Sequence, residues 1–384
     1  MKEITRAIGR KVERELWARA AGRCEFQGCN KLLYKSSVTQ DSINGAQRAH
    51  IYSFAPGGPR GQGPYREKLE TINDPDNLML VCHECHQTFD PENNVDKYPA
   101  DLLIAWKHEH EQRIENVTGI DPDKKSHVVC FGANIGAENS PLNFKQCAWA
   151  MFPDRYPANS RPEILSMAGE HRDHTELYWS VEANNLRTKF TKSIQYLIEH
   201  DPYKHFSLFA LAPQPLLILL GTLLTDKIQV DTYQLHREPE ISWAWQPHPP
   251  GFDYQVIAPE DHRYPPALVI SLSGRISRER IWAAIGHEVS IWELTIEEPH
   301  NDFLKSTQQL SLFRTKIRKI MDEIKHEHGS TASLCVFPAM PIACAVELGR
   351  ARMPKADLQW VLYDHSNVTK SFIETITIKG NEHA

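Results

Sequence analysis

The chain has 384 residues, 41% of them hydrophobic and 24% charged, and carries a net charge of −6. That length suggests two or three cores rather than one, and no run reaches the roughly 18 apolar residues that a membrane span needs. Met1–Trp17 has no apolar leader core, and eight cysteines in so long a chain do not read as a disulfide framework, so a cytoplasmic protein without membrane partners is expected. The charge is unevenly spread. Residues 1–70 hold 13 Lys+Arg against 7 Asp+Glu, residues 71–118 hold 3 against 10, and residues 119–384 hold 27 against 32. A basic surplus confined to the N-terminal end supplies phosphate contacts there.

In chain order, residues 4–22 have helical composition, and residues 23–90 are rich in Gly, Pro, Asn and His, a stretch that needs a metal to hold regular structure. Cys24-x4-Cys29 and Cys82-x2-Cys85 supply it, because two close thiol pairs about fifty residues apart have the spacing of a four-thiolate zinc site. Four thiolates leave no open coordination position, so this zinc is structural. Around the pairs lie residues able to do chemistry. If CHECHQTFD starts a helix, His86 and Asp90 form an i, i+4 pair on one face, and an imidazole with a carboxylate suits Mg²⁺, Mn²⁺ or Ni²⁺. His50 is then free to act as a base near pH 7.

From Tyr98 the segment YPADLLIAWKHEHEQRIENV regains helical periodicity, with Leu102, Ala105, Trp106 and Ile114 near one face, and Gly119, Asp121 and Pro122 end it. HVVCFGANIG then reads as a buried strand opening an α/β domain. Its partial glycine pattern is no dinucleotide fingerprint, so NAD binding is not expected. A weak internal repeat follows at an offset of 126, setting Ser207-Leu208 on Ser333-Leu334 and Pro215 on Pro341. Each copy runs apolar strand (FSLFALA, SLCVF), proline-bearing loop, apolar helix (LLILLGTLL, IACAVELGR), strand (IQVDTYQL, LQWVLYD). Two fused Rossmann-like halves would bind a ligand where the strand-end loops meet. Cys130, Cys147, Cys335 and Cys344, scattered among apolar residues, read as buried small hydrophobes.

The order RAHIYSF, DNLMLVC and CHECHQTFD between paired cysteines resembles the zinc-knuckle branch of the HNH endonucleases. The resemblance implies an α+β domain of the ββα-metal type. In it His50 is the general base, Asn77 the asparagine that fixes the loop and orients that base, and His86 and Asp90 hold the catalytic cation. Ala49 stands where many members carry a third ligand, which implies weak cation binding without DNA. The helix with Trp106, Lys107 and His110 resembles the segment that follows the HNH core.

Residues from about 126 to 384, through HFSLFALAPQPLLILLGTLLTDKIQVDTYQLHREPEISWAW, ALVISLSGRISRERI and SLCVFPAMPIACAVELGRARMPKADLQWVLYDH, resemble the SAVED domain, an α/β fusion of two CARF-like subdomains. The resemblance implies a sensor for a cyclic di- or trinucleotide joined to a nuclease, as in antiphage effectors of the CBASS type. Aromatic faces, strand-end amides and cations suit such a ligand. Pro213, Gln214, Trp243, Ser273, Gly274, Arg275 and Met340 are the candidates. The expected organisation is a nuclease domain at 1–118, a linker at 119–125 and a sensor at 126–384. Expected partners are double-stranded DNA, cut with little sequence preference, and a homodimer that assembles further on activation. A restriction-type nuclease for modified DNA and a non-catalytic cyclic-nucleotide regulator are the alternative readings.

Overall fold

The computed structural model describes residues 5–133, 142–166 and 176–379; Asn134–Gly136 of the partial glycine pattern lie outside the described residues. The chain divides into two compact units, Met1–Asp121 and Pro122–Ala384. No helix among the described residues is long and apolar enough to cross a membrane.

In the first unit, α1 (Arg10–Arg19) precedes β1 (Ala46–His50), β2 (Leu78–Cys82), α2 (His83–Phe89) and α3 (Ala100–Thr118). β1 and β2 pair antiparallel, Ala46 against Cys82 and His50 against Leu78. The unbroken apolar run of β2 is buried at every position, as a strand covered on both faces must be. Around it pack Leu16, Leu33, Ile51, Phe89 and Leu103. The buried positions of α3 are Leu103, Lys107 and His110, whereas Ala105 is exposed. The apolar stripe expected from the sequence is therefore displaced, because two of the buried positions are polar and paired. Lys107 meets Glu111 and lies 3.8 Å from the buried Glu25, and His110 Nε2 lies 3.1 Å from Ala20 O.

The described residues of the second unit form two sheets. Its elements are β3 (Lys125–Gly132), α4 (Phe144–Ala150), β4 (Tyr156–Pro157), β5 (Glu163–Ile164), α5 (Glu176–Phe190), α6 (Tyr196–His200), β6 (His205–Leu211), α7 (Gln214–Leu224) and β7 (Gln229–Thr232). There follow β8 (Gln255–Ile257), β9 (Pro266–Ser271), α8 (Arg278–Ile285), β10 (Ser290–Thr295), α9 (Thr307–His328), β11 (Ser333–Ala339), α10 (Ile342–Ala351), β12 (Gln359–Ser366) and β13 (Ser371–Ile378). The first sheet runs β4-β3-β6-β7, with β5 also on β3, and its pairings are parallel. The second runs β13-β12-β11-β9-β10-β8, parallel in its middle and closed by antiparallel β13 and β8.

The repeat is present in the order of elements, but its register differs from the expected 126. β6 and β11 start 128 residues apart, at His205 and Ser333, as do α7 and α10, at Gln214 and Ile342. Pro213, not Pro215, is thus the counterpart of Pro341, and both precede the first residue of their helix with nearly equal dihedrals. The side chains repeat too. Phe209 stacks on Tyr233 at 4.4 Å and meets Trp243 edge-on, while Phe337 stacks on Tyr363 at 4.5 Å and meets Phe372 edge-on. Gly221 and Gly349 lie where α7 and α10 touch. A Cβ on either would fall 2.0 Å from a carbonyl oxygen of the other helix, Val346 O or Ile218 O. Cys130, Cys147 and Cys344 are buried in these cores, and Cys335 is partly buried.

Candidate metal centre and strand-end loops

A left-handed turn at Ala21 and Gly22 leads the chain from α1 into the first cysteine pair. Cys82 ends β2, and Cys85 lies in the first turn of α2. The sulfurs of Cys24, Cys29, Cys82 and Cys85 all fall within 4.8 Å of one another. A tetrahedral zinc with bonds near 2.3 Å sets its sulfurs about 3.8 Å apart, and Cys29 Sγ lies 3.9 Å from Cys82 Sγ. The Cys82 N–H also donates to Cys24 Sγ at 3.3 Å. The four thiols therefore fit zinc in number, donor type and spacing. Among the described residues they are the group of three or more possible ligands that closes in this way.

His50 ends β1, and its half-buried ring shares a cleft of about 450 Å³ with Arg6, Arg48, Phe54, His86 and Asp90. His86 and Asp90 are brought together by α2, with Nε2 3.2 Å from Oδ2. The helix starts one residue after Cys82, so one short segment carries Cys85 and His86 within α2 and Asp90 at its C-terminal cap. Burial raises the cost of the Asp90 carboxylate, but His86 and Arg60 hold its pKa below the usual value.

The asparagines divide their work in a way not read from the sequence. Asn77, 1% exposed, donates from Nδ2 to Tyr52 O and Ile72 O and accepts from Tyr52 N–H. It fixes the turn after His50 through backbone. The imidazole itself is held by Asn73, whose Oδ1 lies 2.8 Å from His50 Nε2. Asn73 Nδ2 donates to Thr5 O, so its oxygen faces the ring. His50 Nε2–H is then the donor, and Nδ1 is left without a proton in the neutral ring. Burial lowers the His50 pKa and Arg6 adds to this, while Asn73 and Asp90 act in the opposite sense.

Arg60 is a second residue the sequence did not single out. Its guanidinium, 3% exposed, donates to Ile51 O, Phe89 O and Asp90 Oδ1. Nothing in GGPRGQG marks it, because its partners lie nine to thirty positions away. Behind the centre, Trp106 meets Phe26 edge-on at 4.9 Å. Burial pushes the Glu25 carboxyl up to about 7 against the pull of Lys107.

In the second unit the loops after β6, β9 and β11 converge. Gln214 Oε1 accepts from Met340 N–H at 3.2 Å, and the N–H groups of Leu272 and Ser273 both donate to Ala339 O. Pro213, Gln214, Ser273 and Met340 are thus brought together. Gly274 faces open space, and the Arg275 guanidinium donates to Glu297 O. Trp243 stands apart from these loops, 3% exposed in a core behind Phe209. Gln234 joins the loops unpredicted, its Oε1 accepting from Ala343 N–H at 3.2 Å.

Two family models match the chain. Residues 186–378 match the SMODS-associated and fused to various effectors sensor domain, SAVED, and residues 24–93 match the HNH endonuclease model. No curated protein matches. Among solved structures, the chain is similar to the Acinetobacter baumannii Cap4 SAVED/CARF-domain containing receptor with the cyclic trinucleotide 2'3'3'-cAAA. The identity is 12%, with 82% of this chain and 66% of that one covered and a TM-score of 0.44. The Moraxella osloensis Cap4 SAVED/CARF-domain containing receptor is 12% identical over 83% and 59% of the two chains, with a TM-score of 0.38. The chain spans about two thirds or less of the length of these receptors.

Proposed function

The chain belongs to the SAVED sensor-domain family and carries an HNH endonuclease domain, and from that premise we propose that it is a metal-dependent DNA endonuclease switched on by a cyclic oligonucleotide. The observation that carries the chemistry is one cleft in which His50, with its Nε2 proton committed to Asn73, shares walls with the His86–Asp90 pair. We assign residues 1–118 to the nuclease, 119–125 to a linker and 126–384 to the sensor.

His50 Nδ1 takes the proton from a water that attacks the scissile phosphorus, and the bond to the leaving 3′-oxygen breaks. A Mg²⁺, Mn²⁺ or Ni²⁺ ion on His86 and Asp90 supplies Lewis-acid stabilisation of the charge that builds on the phosphate. Asn77 keeps the turn after His50 in place, and the four cysteines hold the centre together around a structural zinc. Arg6 and the basic N-terminal surplus offer charge to phosphates rather than groups for base edges, in keeping with cleavage of duplex DNA with little sequence preference. The converging loops at Pro213, Gln214, Ser273 and Met340 receive a cyclic di- or trinucleotide, as in a CBASS-type antiphage effector. Charges in residues 119–384 nearly balance, which does not favour a second DNA-reading surface there.

Supercoiled plasmid incubated with the protein, each divalent cation and a panel of cyclic di- and trinucleotides tests this reading. One nucleotide should turn on cleavage in the unsubstituted protein and none in His50→Ala, with nucleotide binding unchanged. Cleavage that ignores every nucleotide, or that survives in His50→Ala at saturating metal, would overturn it.

A further inference from the structure

Arg60 lies between the two halves of the proposed catalytic centre. Its backbone is left-handed, with φ +60°, a conformation glycine adopts at no steric cost, yet an arginine occupies it. The side chain is 3% exposed, and each guanidinium nitrogen has a separate acceptor. Nε reaches Ile51 O at 2.7 Å, Nη1 reaches Phe89 O at 2.9 Å, and Nη2 reaches Asp90 Oδ1 at 2.6 Å. The group also lies over the Phe89 ring at 5.3 Å. One end of this fork holds the residue after His50, and the other holds the carboxylate of the cation pair. Asp90 is thereby divided, with Oδ1 bound to Arg60 and Oδ2 turned toward His86 Nε2.

We propose that Arg60 is a positioning residue that fixes the base relative to the cation pair and leaves only the Asp90 oxygen facing His86 for the cation, so that the cation loads tightly only together with a DNA phosphate. The inference rests on the nuclease reading above. Its physical basis is that a buried positive charge beside a carboxylate offsets that carboxylate's attraction for a divalent ion, while a planar fork with three acceptors sets distances that an ammonium group cannot.

Charge and geometry separate in two substitutions of the full-length, zinc-loaded protein. Mn²⁺ is titrated without DNA, free Mn²⁺ is read by electron paramagnetic resonance, and cleavage is measured at saturating Mn²⁺ in the presence of each member of the cyclic di- and trinucleotide panel. R60Q, lacking the charge, should bind Mn²⁺ on the order of tenfold more tightly yet cleave about 10- to 100-fold more slowly. R60K, keeping the charge without the fork, should bind Mn²⁺ like the unsubstituted protein and still cleave more slowly. A merely structural role predicts affinity and cleavage falling together. R60Q with its zinc intact and unchanged or weaker Mn²⁺ affinity overturns the proposal. Should R60Q lose its zinc, R60K decides, and full cleavage by R60K overturns the proposal equally. If the unsubstituted protein holds no cation beyond zinc and cuts no DNA, the nuclease reading itself fails and takes this proposal with it.

Discussion

At the scale of single residues, the proposed base chemistry depends on which nitrogen of His50 carries the proton. Asn73 decides this through the 2.8 Å contact to Nε2, and burial keeps the ring below the ordinary imidazole pKa. Protonation of Nδ1 removes the base, so the rate is lost as pH falls through the pKa of His50 and is level above it. The acid limb of log kcat/KM should lie below the value of about 6.5 for a free imidazole. Asn73→Asp places a carboxylate where the amide oxygen was, favours the charged ring and should move that limb to higher pH. A pH–rate profile between pH 5 and 8 checks both, and an unmoved limb in Asn73→Asp would show that Asn73 does not govern the ring. The alanine at position 49 shows why such supports matter. On the proposed reading, with no ligand from that position, the cation would rely on His86 and Asp90, whose geometry is set by residues outside the motif.

At the scale of elements, the two halves of the second unit are joined by α7 and α10 crossing backbone to backbone. Gly221 and Gly349 permit this, since a Cβ on either meets a carbonyl oxygen at 2.0 Å. Gly349→Val forces the helices apart and strips the core between them, and it should destabilise the second unit by about 3 kcal/mol, measured by urea unfolding. Gly274→Ala, facing open space, should stay within about 0.5 kcal/mol of the unsubstituted protein. The repeated order of strand, proline loop, helix and strand was legible in sequence. Its register was misread by two, because Ser207-Leu208 matches Ser333-Leu334 at an offset of 126, whereas at 128 Phe209, Pro213 and Gly221 fall on Phe337, Pro341 and Gly349, and the two phenylalanines also agree in what they stack on.

At the scale of the whole molecule, the chain is two compact units, each with its own core. Cys82→Ser should therefore lose zinc and unfold the first unit, while the second keeps its thermal transition, seen by metal analysis and calorimetry. Loss of zinc with the first unit still folded would contradict a structural role. Regulation belongs to this scale as well. We expect the messenger to act by assembling a dimer into a larger form that brings nuclease domains together on both strands. A shift from 1:99 to 99:1 requires roughly 10⁴-fold preference for the assembled state. Light scattering with and without the activating nucleotide should show the mass rise, and full activation at constant mass would exclude assembly.

The sequence by itself determined which four cysteines cluster, that His86 and Asp90 lie side by side, and the α/β order of the second unit. These signals reside in short spacings or in runs of one residue class, which local chain geometry converts directly into structure. Only the tertiary structure decided that Asn73 holds the imidazole, that Arg60 ties base strand to carboxylate, that Trp243 belongs to a core and that α3 buries Lys107 and His110. Each of these depends on a partner distant in sequence, and a polar group that is buried because it is paired leaves no trace in hydropathy until the partner is in place.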